Sequence, residues 1–144
     1  MNQNTMQPIP QGQYLPAVRH NDLVYSSGMT PRKDGKLIYL GKIKTTSPVE
    51  VYCDAVQLAT KNALLAVQAC LQKNEKISVI LQLTVYLNAE QSFSKHSKVA
   101  DYASALLLEE LGVNSIGSRV AIGVATLPSD ALVEIALVSA VTKL

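Results

Sequence analysis

The chain has 144 residues, the length of one domain. Hydrophobic residues make up 48% of it and charged residues only 17%, so one core is well supplied and partner subunits are expected to cover part of the surface. The formal net charge of +2 is too small to indicate nucleic-acid binding from charge alone.

The first residues, 1–12, are polar and are predicted to form a flexible tail before a single domain at 13–144. They lack the basic and apolar regions of a secretory signal, and no run approaches the ~20 apolar residues that a membrane span requires. Cys53 and Cys70 fall in one predicted helix, where 17 positions correspond to ~25 Å, too far for a disulfide. Free thiols without a signal predict a cytoplasmic protein that makes no contact with a membrane.

Turn and helix signals organise the first half of the chain. A strand is predicted at 22–28, with turn chemistry at 31–35. The Ser-Pro-Val-Glu sequence at 47–50 has the spacing of an N-cap serine, a first-turn proline and a capping box, which predicts a helix running to about Lys73. Its buried face follows steps of four and three: Tyr52, Val56, Ala59, Ala63, Ala66 and Cys70.

A long strand and a second helix follow. Residues 77–87 are rich in β-branched and apolar side chains, which predicts a strand with a helix over one side. A helix is predicted from Ser94 or Ser97 to Leu111, with Gly112 as its C-terminal cap. The inward positions expected are Val79, Leu81, Leu83, Val85 and Leu87 on the strand, and Val99, Tyr102, Ala103, Leu106 and Leu107 on the helix.

The last third contains two further strands, at 119–126 and 132–141, joined by a turn at 127–131. The short connection predicts a hairpin. The order of elements predicts an α+β fold, one mixed sheet with two helices on one face. The other sheet face is then solvated or buried against other subunits, and its apolar content favours burial.

Two lone charges, Arg119 and Glu134, stand inside these last strands, where a buried charge without a partner is costly. A guanidinium beside small side chains could hold a carboxylate through two hydrogen bonds. The alternatives are ordinary exposed residues or a structural ion pair. In a hairpin the two are offset by roughly 16 Å, so one ligand would need long side chains or a neighbouring subunit. Their small same-face neighbours are Ala121, Gly123 and Ala125, and Ala136, Val138 and Ala140.

The sequence gives little support for a metal site or for nucleic-acid binding. His20 and His96 lie in predicted loop or helix-start sequence without an acidic cluster, so no metal site is predicted. Basic residues between Arg19 and Lys44 lie in turn-like sequence, which favours a solvated rim over a nucleic-acid track.

Five segments, spread over most of the chain, share their sequence and spacing with a known family: YLPAV at 14–18, LVYSSG at 23–28 with Pro31, KVADYAS at 98–104, GSRVAIGVATLP at 117–128 and VEI at 133–135. Over about 13–141 the chain therefore resembles the RidA/YjgF family. Its C-terminal segment is the most specific part of the likeness, since the spacing from Arg119 to Pro128 and Glu134 matches the family signature. The chain is most similar to a branch that diverges from the best-studied deaminases.

The resemblance implies a chorismate-mutase-like α+β fold assembled as a homotrimer with clefts between subunits. It implies hydrolysis of enamines and imines, such as 2-aminoacrylate and 2-iminobutanoate, to 2-keto acids and ammonia, with no cofactor and no metal. Imine hydrolysis is already fast in water, so orienting a carboxylate and one water could suffice.

Carried over by position, Arg119 would bind the substrate carboxylate and Glu134 would position the attacking water. Tyr14, Ser27 and Gly28 would line the pocket, and the Ala121 carbonyl would accept from water or the substrate nitrogen. The chain departs from better-known members at three positions, where alanine replaces a polar or reactive residue: Ala100, Ala121 and Ala136.

Two alternatives remain open at this point. One is a non-catalytic trimer that binds or senses small carboxylates such as 2-keto acids. The other, suggested by names attached to the family, is an endoribonuclease or translation inhibitor, for which the chain offers one weak basic cluster and a single phenylalanine, Phe93, for base stacking.

Overall fold

The computed structural model describes residues 7–144, and in this range a five-stranded mixed sheet carries two helices on one face. The sheet order is β1-β2-β7-β5-β6, all antiparallel except the β5–β6 pair, and β3 and β4 form a separate two-stranded hairpin. The predicted α+β architecture is confirmed. The elements are β1 (Ala17–His20), β2 (Leu23–Ser26), β3 (Arg32–Lys33), β4 (Lys36–Leu37), α1 (Cys53–Gln68), β5 (Glu75–Asn88), α2 (His96–Leu111), β6 (Ile116–Val124) and β7 (Val133–Lys143).

The beginning of the chain differs from the expected tail and single strand. Part of the predicted tail, residues 1–6, lies outside the described residues, and residues 7–12 form no regular element. A strand that the sequence did not predict, β1, pairs with β2 through a tight turn in which Asn21 has φ 53°. The turn predicted at 31–35 is confirmed, because Asp34 and Gly35 both adopt positive φ and reverse the chain between β3 and β4.

The first helix begins with a 3-10 turn, Val49–Tyr52, and not with the predicted capping box. Pro48 occupies the N-cap position and no side chain caps the turn, so the prediction of a serine cap is wrong. The helix also ends at Gln68, short of Lys73, since residues 69–74 turn into β5. Its predicted buried face is confirmed from Tyr52 to Ala66, whereas Cys70 lies past the helix and is only partly buried.

Irregular pairing in β5 explains which of its side chains face the helices. Register shifts between Ile77 and Val79 and between Ile80 and Gln82 interrupt the two-residue alternation. A bulge of this kind moves the following side chains to the other face. The core therefore receives Leu83, Val85 and Leu87 as predicted, but it receives Ile77 and Ile80 where Val79 and Leu81 were expected.

The second helix agrees closely with its prediction. It runs from His96 to Leu111, and Gly112 ends it with φ 100°, a value that favours glycine. Of the predicted inward residues, Val99, Ala103 and Leu107 are fully buried. Tyr102 and Leu106 are partly buried.

The predicted hairpin between the last two strands is wrong. Strand β5 lies between them, and it pairs with β6 in parallel and with β7 in antiparallel fashion. The connection after β6 crosses the end of β5, where the Asn88 side chain donates to Asp130 Oδ1 and the Ala131 carbonyl at 2.9 and 3.1 Å. Residues that were expected opposite each other are therefore two strands apart.

The two faces of the sheet have different surroundings. The helix-covered face holds the core, to which β7 contributes Val133, Ile135 and Leu137. The opposite face, called here the open face, is uncovered in the protomer although several of its side chains are apolar and 40% to 51% exposed: Val18, Tyr25, Val120 and Ile122. Exposed apolar side chains on an uncovered sheet face favour an interaction site there.

Candidate functional site

A small cavity brings together residues from the two ends of the chain. Its volume is about 200 Å³, and its walls combine a carboxylate, a guanidinium, a phenol and backbone. Of the six site residues predicted from the sequence, Tyr14, Gly28 and Glu134 line it. This cavity is called here the Glu134 cavity, and its lining residues are Gln11, Tyr14, Gly28, Thr30, Arg32, Pro128, Ser129 and Glu134.

Gly28 lies directly against the carboxylate. A Cβ added at this position would lie 2.7 Å from Glu134 Cδ, closer than Cβ atoms approach other atoms in proteins, and 3.0 Å from Glu134 Cγ, an unusually tight contact. The adjacent Met29 pairs its backbone with Ile135 in both directions, at 2.7 and 2.8 Å, which holds the two segments in register. The glycine is therefore required so that the Glu134 side chain can lie over this backbone.

Ser27 supports the cavity without being one of its lining residues. Its hydroxyl donates to the Leu15 carbonyl at 2.6 Å, and its backbone N–H donates to the Pro16 carbonyl at 2.8 Å. These bonds hold the segment that carries Tyr14, whose hydroxyl accepts from the Gln11 N–H at 3.1 Å. Ser27 thus positions a wall of the cavity.

Burial changes the acidity of Glu134. The side chain is partly buried on β7, and removal from water raises the pKa of its carboxyl above the ordinary value. A carboxyl with a raised pKa is a stronger base once it has lost its proton, and it exchanges a proton closer to neutral pH. Glu134 is therefore suited to proton transfer.

Arg119 lies elsewhere, on the helix-covered face of β6. Its Nη1 donates to Asp101 Oδ1 at 2.8 Å and to Ser104 Oγ at 3.0 Å, and its Nη2 donates to Ser97 Oγ at 2.8 Å. These partners lie on α2. The structural ion pair that the sequence left open thus exists, but its acid is Asp101 and not Glu134.

The sheet register separates the two predicted charges. Arg119 pairs with Leu83 and Glu134 pairs with Tyr86, on the two sides of β5. Leu83 faces the core and Tyr86 faces the other way, so Arg119 and Glu134 lie on opposite faces. Their Cα atoms are roughly 14 Å apart, from three positions along β5 and two strand spacings. A small ligand cannot contact both side chains within one protomer.

Two further positions that the sequence analysis singled out, Ala121 and Ala100, belong to the packing of the core. Ala121 shares the helix-covered face with Arg119 and packs against the core. Ala100, one of the three positions at which the chain departs from better-known members, is fully buried on α2. The side chain at position 100 therefore has no access to a ligand in this chain.

Sequence reasoning missed four polar residues that the structure brings to these charges: Arg32, Ser97, Asp101 and Ser104. Arg32 had been included in a solvated basic rim, and only the fold carries it to Glu134. The positions of Ser97, Asp101 and Ser104 on one helix face, three to four residues apart, were a readable signal for a polar stripe.

A larger cavity, about 640 Å³, lies at the far end of β6. The His96 ring contacts Phe93 edge to face at 5.1 Å, and a Cβ added at Gly123 would lie 2.8 Å from His96 Nε2. Lys42 at its rim donates to Asn88 Oδ1 at 2.8 Å and to the Ala125 carbonyl. None of the six predicted site residues lines this cavity.

Within residues 7–144, no three His, Cys, Asp or Glu side chains are grouped so that they could hold a metal ion. Cys53 and Cys70 are free thiols. Across the same part of the chain, no helix has the length and apolar character needed to cross a membrane.

The fold and the cavity define a small α+β domain in which a carboxylate, Glu134, and a guanidinium, Arg32, line one small cavity beside the sheet. The model of the endoribonuclease L-PSP family matches residues 4–141, and the chain belongs to this family, that of the RidA/YjgF proteins. The predicted family is thereby confirmed.

Three known proteins are similar to this chain. Protein TCP17 of Trypanosoma cruzi is 29% identical over 128 residues, which cover 88% of this chain and 79% of that protein. The crystal structure of Agrobacterium tumefaciens Atu1372, a protein of unknown function, is 29% identical with a TM-score of 0.83 over 93% of this chain and 86% of its own. The Escherichia coli YjgF gene product shares the fold at 20% identity, with a TM-score of 0.67 over 93% and 92% of the two chains.

Proposed function

We propose that this protein hydrolyses reactive enamines and imines of the 2-aminoacrylate or 2-iminobutanoate type to 2-keto acids and ammonia. The observation that carries the proposal is the Glu134 cavity, in which Tyr14, Gly28 and Glu134, distant in sequence, surround a space for a small metabolite. Drug-sized ligands occupy cavities of ~300–1,000 Å³, so a cavity of about 200 Å³ suits a substrate with few atoms.

The active assembly in this proposal is a homotrimer. Burial of the open face against neighbouring copies would remove its exposed apolar side chains, including Val120 and Ile122, from water. Because β6 is the edge strand of the sheet, Arg119 lies at the rim of the protomer. A neighbour packed on the open face would bring its own β6 edge towards Glu134, and each site would then combine Arg119 of one subunit with Glu134 of the next.

In such a cleft the substrate carboxylate replaces Asp101 on the Arg119 guanidinium. The exchange is feasible because the Asp101 side chain is 67% exposed. An exposed ion pair contributes only about 0.2–1 kcal/mol, so a well-oriented carboxylate with two charge-assisted hydrogen bonds competes with it. The Ala121 backbone carbonyl would accept a hydrogen bond from the water or the substrate nitrogen.

Glu134 then acts on water. The carboxylate takes a proton from water as the water oxygen forms a bond to the imine carbon, and the C=N π electrons move to nitrogen. Glu134 returns the proton to that nitrogen, which gives a carbinolamine. The carboxylate then carries the hydroxyl proton of this intermediate to the nitrogen, the C–N bond breaks, ammonia leaves and the oxygen becomes the keto oxygen. An enamine first gains a proton on carbon to give the imine. Every step uses water and protein side chains, and no cofactor takes part.

The nucleic-acid alternative receives less support from the surface. The single phenylalanine, Phe93, is buried and unavailable for base stacking. The basic residues of the first half do not form one track, because Arg19 is paired with Glu75 and Lys42 is bonded to Asn88. A ribonuclease activity that survives purification and is lost on charge reversal at Lys33 and Lys36 would favour it.

The test generates 2-aminoacrylate with a pyridoxal-phosphate lyase and follows keto-acid release with and without this protein. We expect acceleration over spontaneous hydrolysis, lost in Arg119→Ala and in Glu134→Gln. The control is Lys98→Ala, which removes an exposed positive charge from the same region. No acceleration by the wild type, or equal acceleration by Arg119→Ala, contradicts the mechanism. Calorimetric binding of 2-ketobutyrate without turnover would favour the non-catalytic binder.

A further inference from the structure

Arg32 is the only arginine in residues 7–144 without a carboxylate partner. Arg19 donates to both Glu75 oxygens, at 2.6 and 2.8 Å, and Arg119 donates to Asp101. No acidic side chain in this range lies within 4.0 Å of the Arg32 nitrogens. Arg32 nevertheless lines the Glu134 cavity together with Glu134.

The backbone holds Arg32 in a defined place. The Asn62 amide on α1 donates to the Thr30 and Arg32 carbonyls, at 3.0 and 2.9 Å, and the Arg32 N–H donates to Thr30 at 2.8 Å. The positive-φ turn at Asp34 and Gly35 follows immediately. The guanidinium is therefore carried by a fixed segment and not by a solvated loop.

The donors of this guanidinium are mostly unused. Nη1 donates to the Gly35 carbonyl at 3.2 Å, while Nε is buried and has no acceptor among residues 7–144. A buried donor without an acceptor is destabilising, and more so when it is charged. Nη2 donates to no group in the same residues. It can therefore donate a charge-assisted hydrogen bond to a carboxylate in the cavity that Arg32 lines.

We propose that Arg32 binds a second acidic group of the substrate, so that the site prefers imines of dicarboxylic 2-keto acids. The inference rests on the proposed function, in which Arg119 of a neighbouring subunit binds the carboxylate next to the reacting carbon. Arg32 lines the same cavity as Glu134. Glu134 lies on the opposite sheet face from the Arg119 of its own chain. A substrate with acidic groups at both ends engages both arginines.

The experiment compares two keto acids that differ by one carboxylate, 2-ketoglutarate and 2-ketobutyrate, by calorimetry on the full-length protein. Arg32→Gln is expected to lower the affinity for 2-ketoglutarate by about 10- to 100-fold, the range of a charged hydrogen-bonded contact. The affinity for 2-ketobutyrate is expected to fall much less. Arg32→Lys keeps the positive charge but not the planar guanidinium, and its affinity for 2-ketoglutarate is expected to lie between those of the wild type and Arg32→Gln. Lys33→Gln removes an exposed charge one residue away and serves as the control.

Hydrolysis of the two corresponding imines, generated from glutamate and 2-aminobutyrate by a flavin amino-acid oxidase, is followed in parallel, and the same change in preference is expected. An equal loss for both ligands in Arg32→Gln, or no loss for either, overturns the inference and leaves the proposed function standing. If the wild type neither binds the keto acids nor accelerates hydrolysis of either imine, the proposed function itself fails.

Discussion

Arg119 and Glu134 lie on opposite faces of one sheet, with β5 between their strands. Their spacing in sequence, 15 positions, gave no indication of this arrangement. If both act on one substrate, they must come from different subunits.

Subunit mixing tests this consequence. Arg119→Ala and Glu134→Gln chains are each expected to be inactive, but mixed trimers regain intact sites wherever an intact Arg119 meets an intact Glu134. Random mixing of equal amounts restores about a quarter of the wild-type sites in a head-to-tail ring. Imine hydrolysis measured after co-refolding provides the readout. A mixture as inactive as its components would mean that each site belongs to one chain.

The ion pair between Arg119 and Asp101 leads to a second prediction. Asp101→Asn removes the carboxylate that competes with substrate, so the affinity for 2-ketobutyrate should rise several-fold while the free energy of unfolding falls by only about 0.2–1 kcal/mol. Glu110→Gln is the matched control, since Glu110 forms the other ion pair of α2, with Lys61 at 2.9 Å, away from both arginines. Weaker binding in Asp101→Asn would show that Asp101 orients Arg119 for the ligand.

The contact between Gly28 and Glu134 predicts a specific coupling. Gly28→Ala inserts a Cβ against the carboxyl group and should abolish turnover and lower the free energy of unfolding by about 1–3 kcal/mol, as overpacking does. In a Glu134→Ala background the clash disappears, so the same substitution should cost much less. Urea unfolding of the four proteins gives the coupling energy. Equal costs in both backgrounds would place the strain elsewhere.

The raised pKa of Glu134 makes activity and stability depend on pH in opposite directions. Turnover requires the ionised carboxylate, so it should rise with pH through a midpoint above the ordinary value of 4.5. A carboxyl whose pKa is raised by folding binds its proton more tightly in the folded state. The stability it contributes is therefore present below the unfolded pKa and is lost as pH rises through the folded pKa.

Glu134→Gln, which cannot ionise, should accordingly be inactive but melt at a higher temperature than the wild type at pH 7, and the difference should shrink near pH 4. Thermal unfolding at the two pH values is the measurement. A Gln variant that is less stable at pH 7 would mean that the folded protein stabilises the Glu134 charge.

The open face predicts the behaviour of the assembly. Val120→Asp places a charge among the exposed apolar side chains and should convert a particle of three chains into monomers, which light scattering detects. Val113→Asp is the control, because Val113 is 87% exposed and lies in the loop before β6, outside the sheet. Dissociation by both variants, or by neither, would argue against the open face as the subunit interface.

Local patterns in the sequence were sufficient for the fold class and for most elements. The apolar spacing on the first helix identified the face from Tyr52 to Ala66, and Gly112 marked the end of the second, because helical periodicity and a left-handed cap are properties of short segments. The segments from 14–18 to 133–135, with the spacing of Arg119, Pro128 and Glu134, were together sufficient to recognise the family.

Pairing and site geometry were decided only by the tertiary structure. The same two strand-like segments fit a hairpin or two neighbours of β5, and the choice depends on contacts with a strand some 40 residues earlier. The bulges in β5, the Asp101 partner of Arg119 and the place of Arg32 beside Glu134 likewise depend on long-range packing. Which side chains share a face or a cavity is a property of strand order and register, and local sequence periodicity carries no record of either.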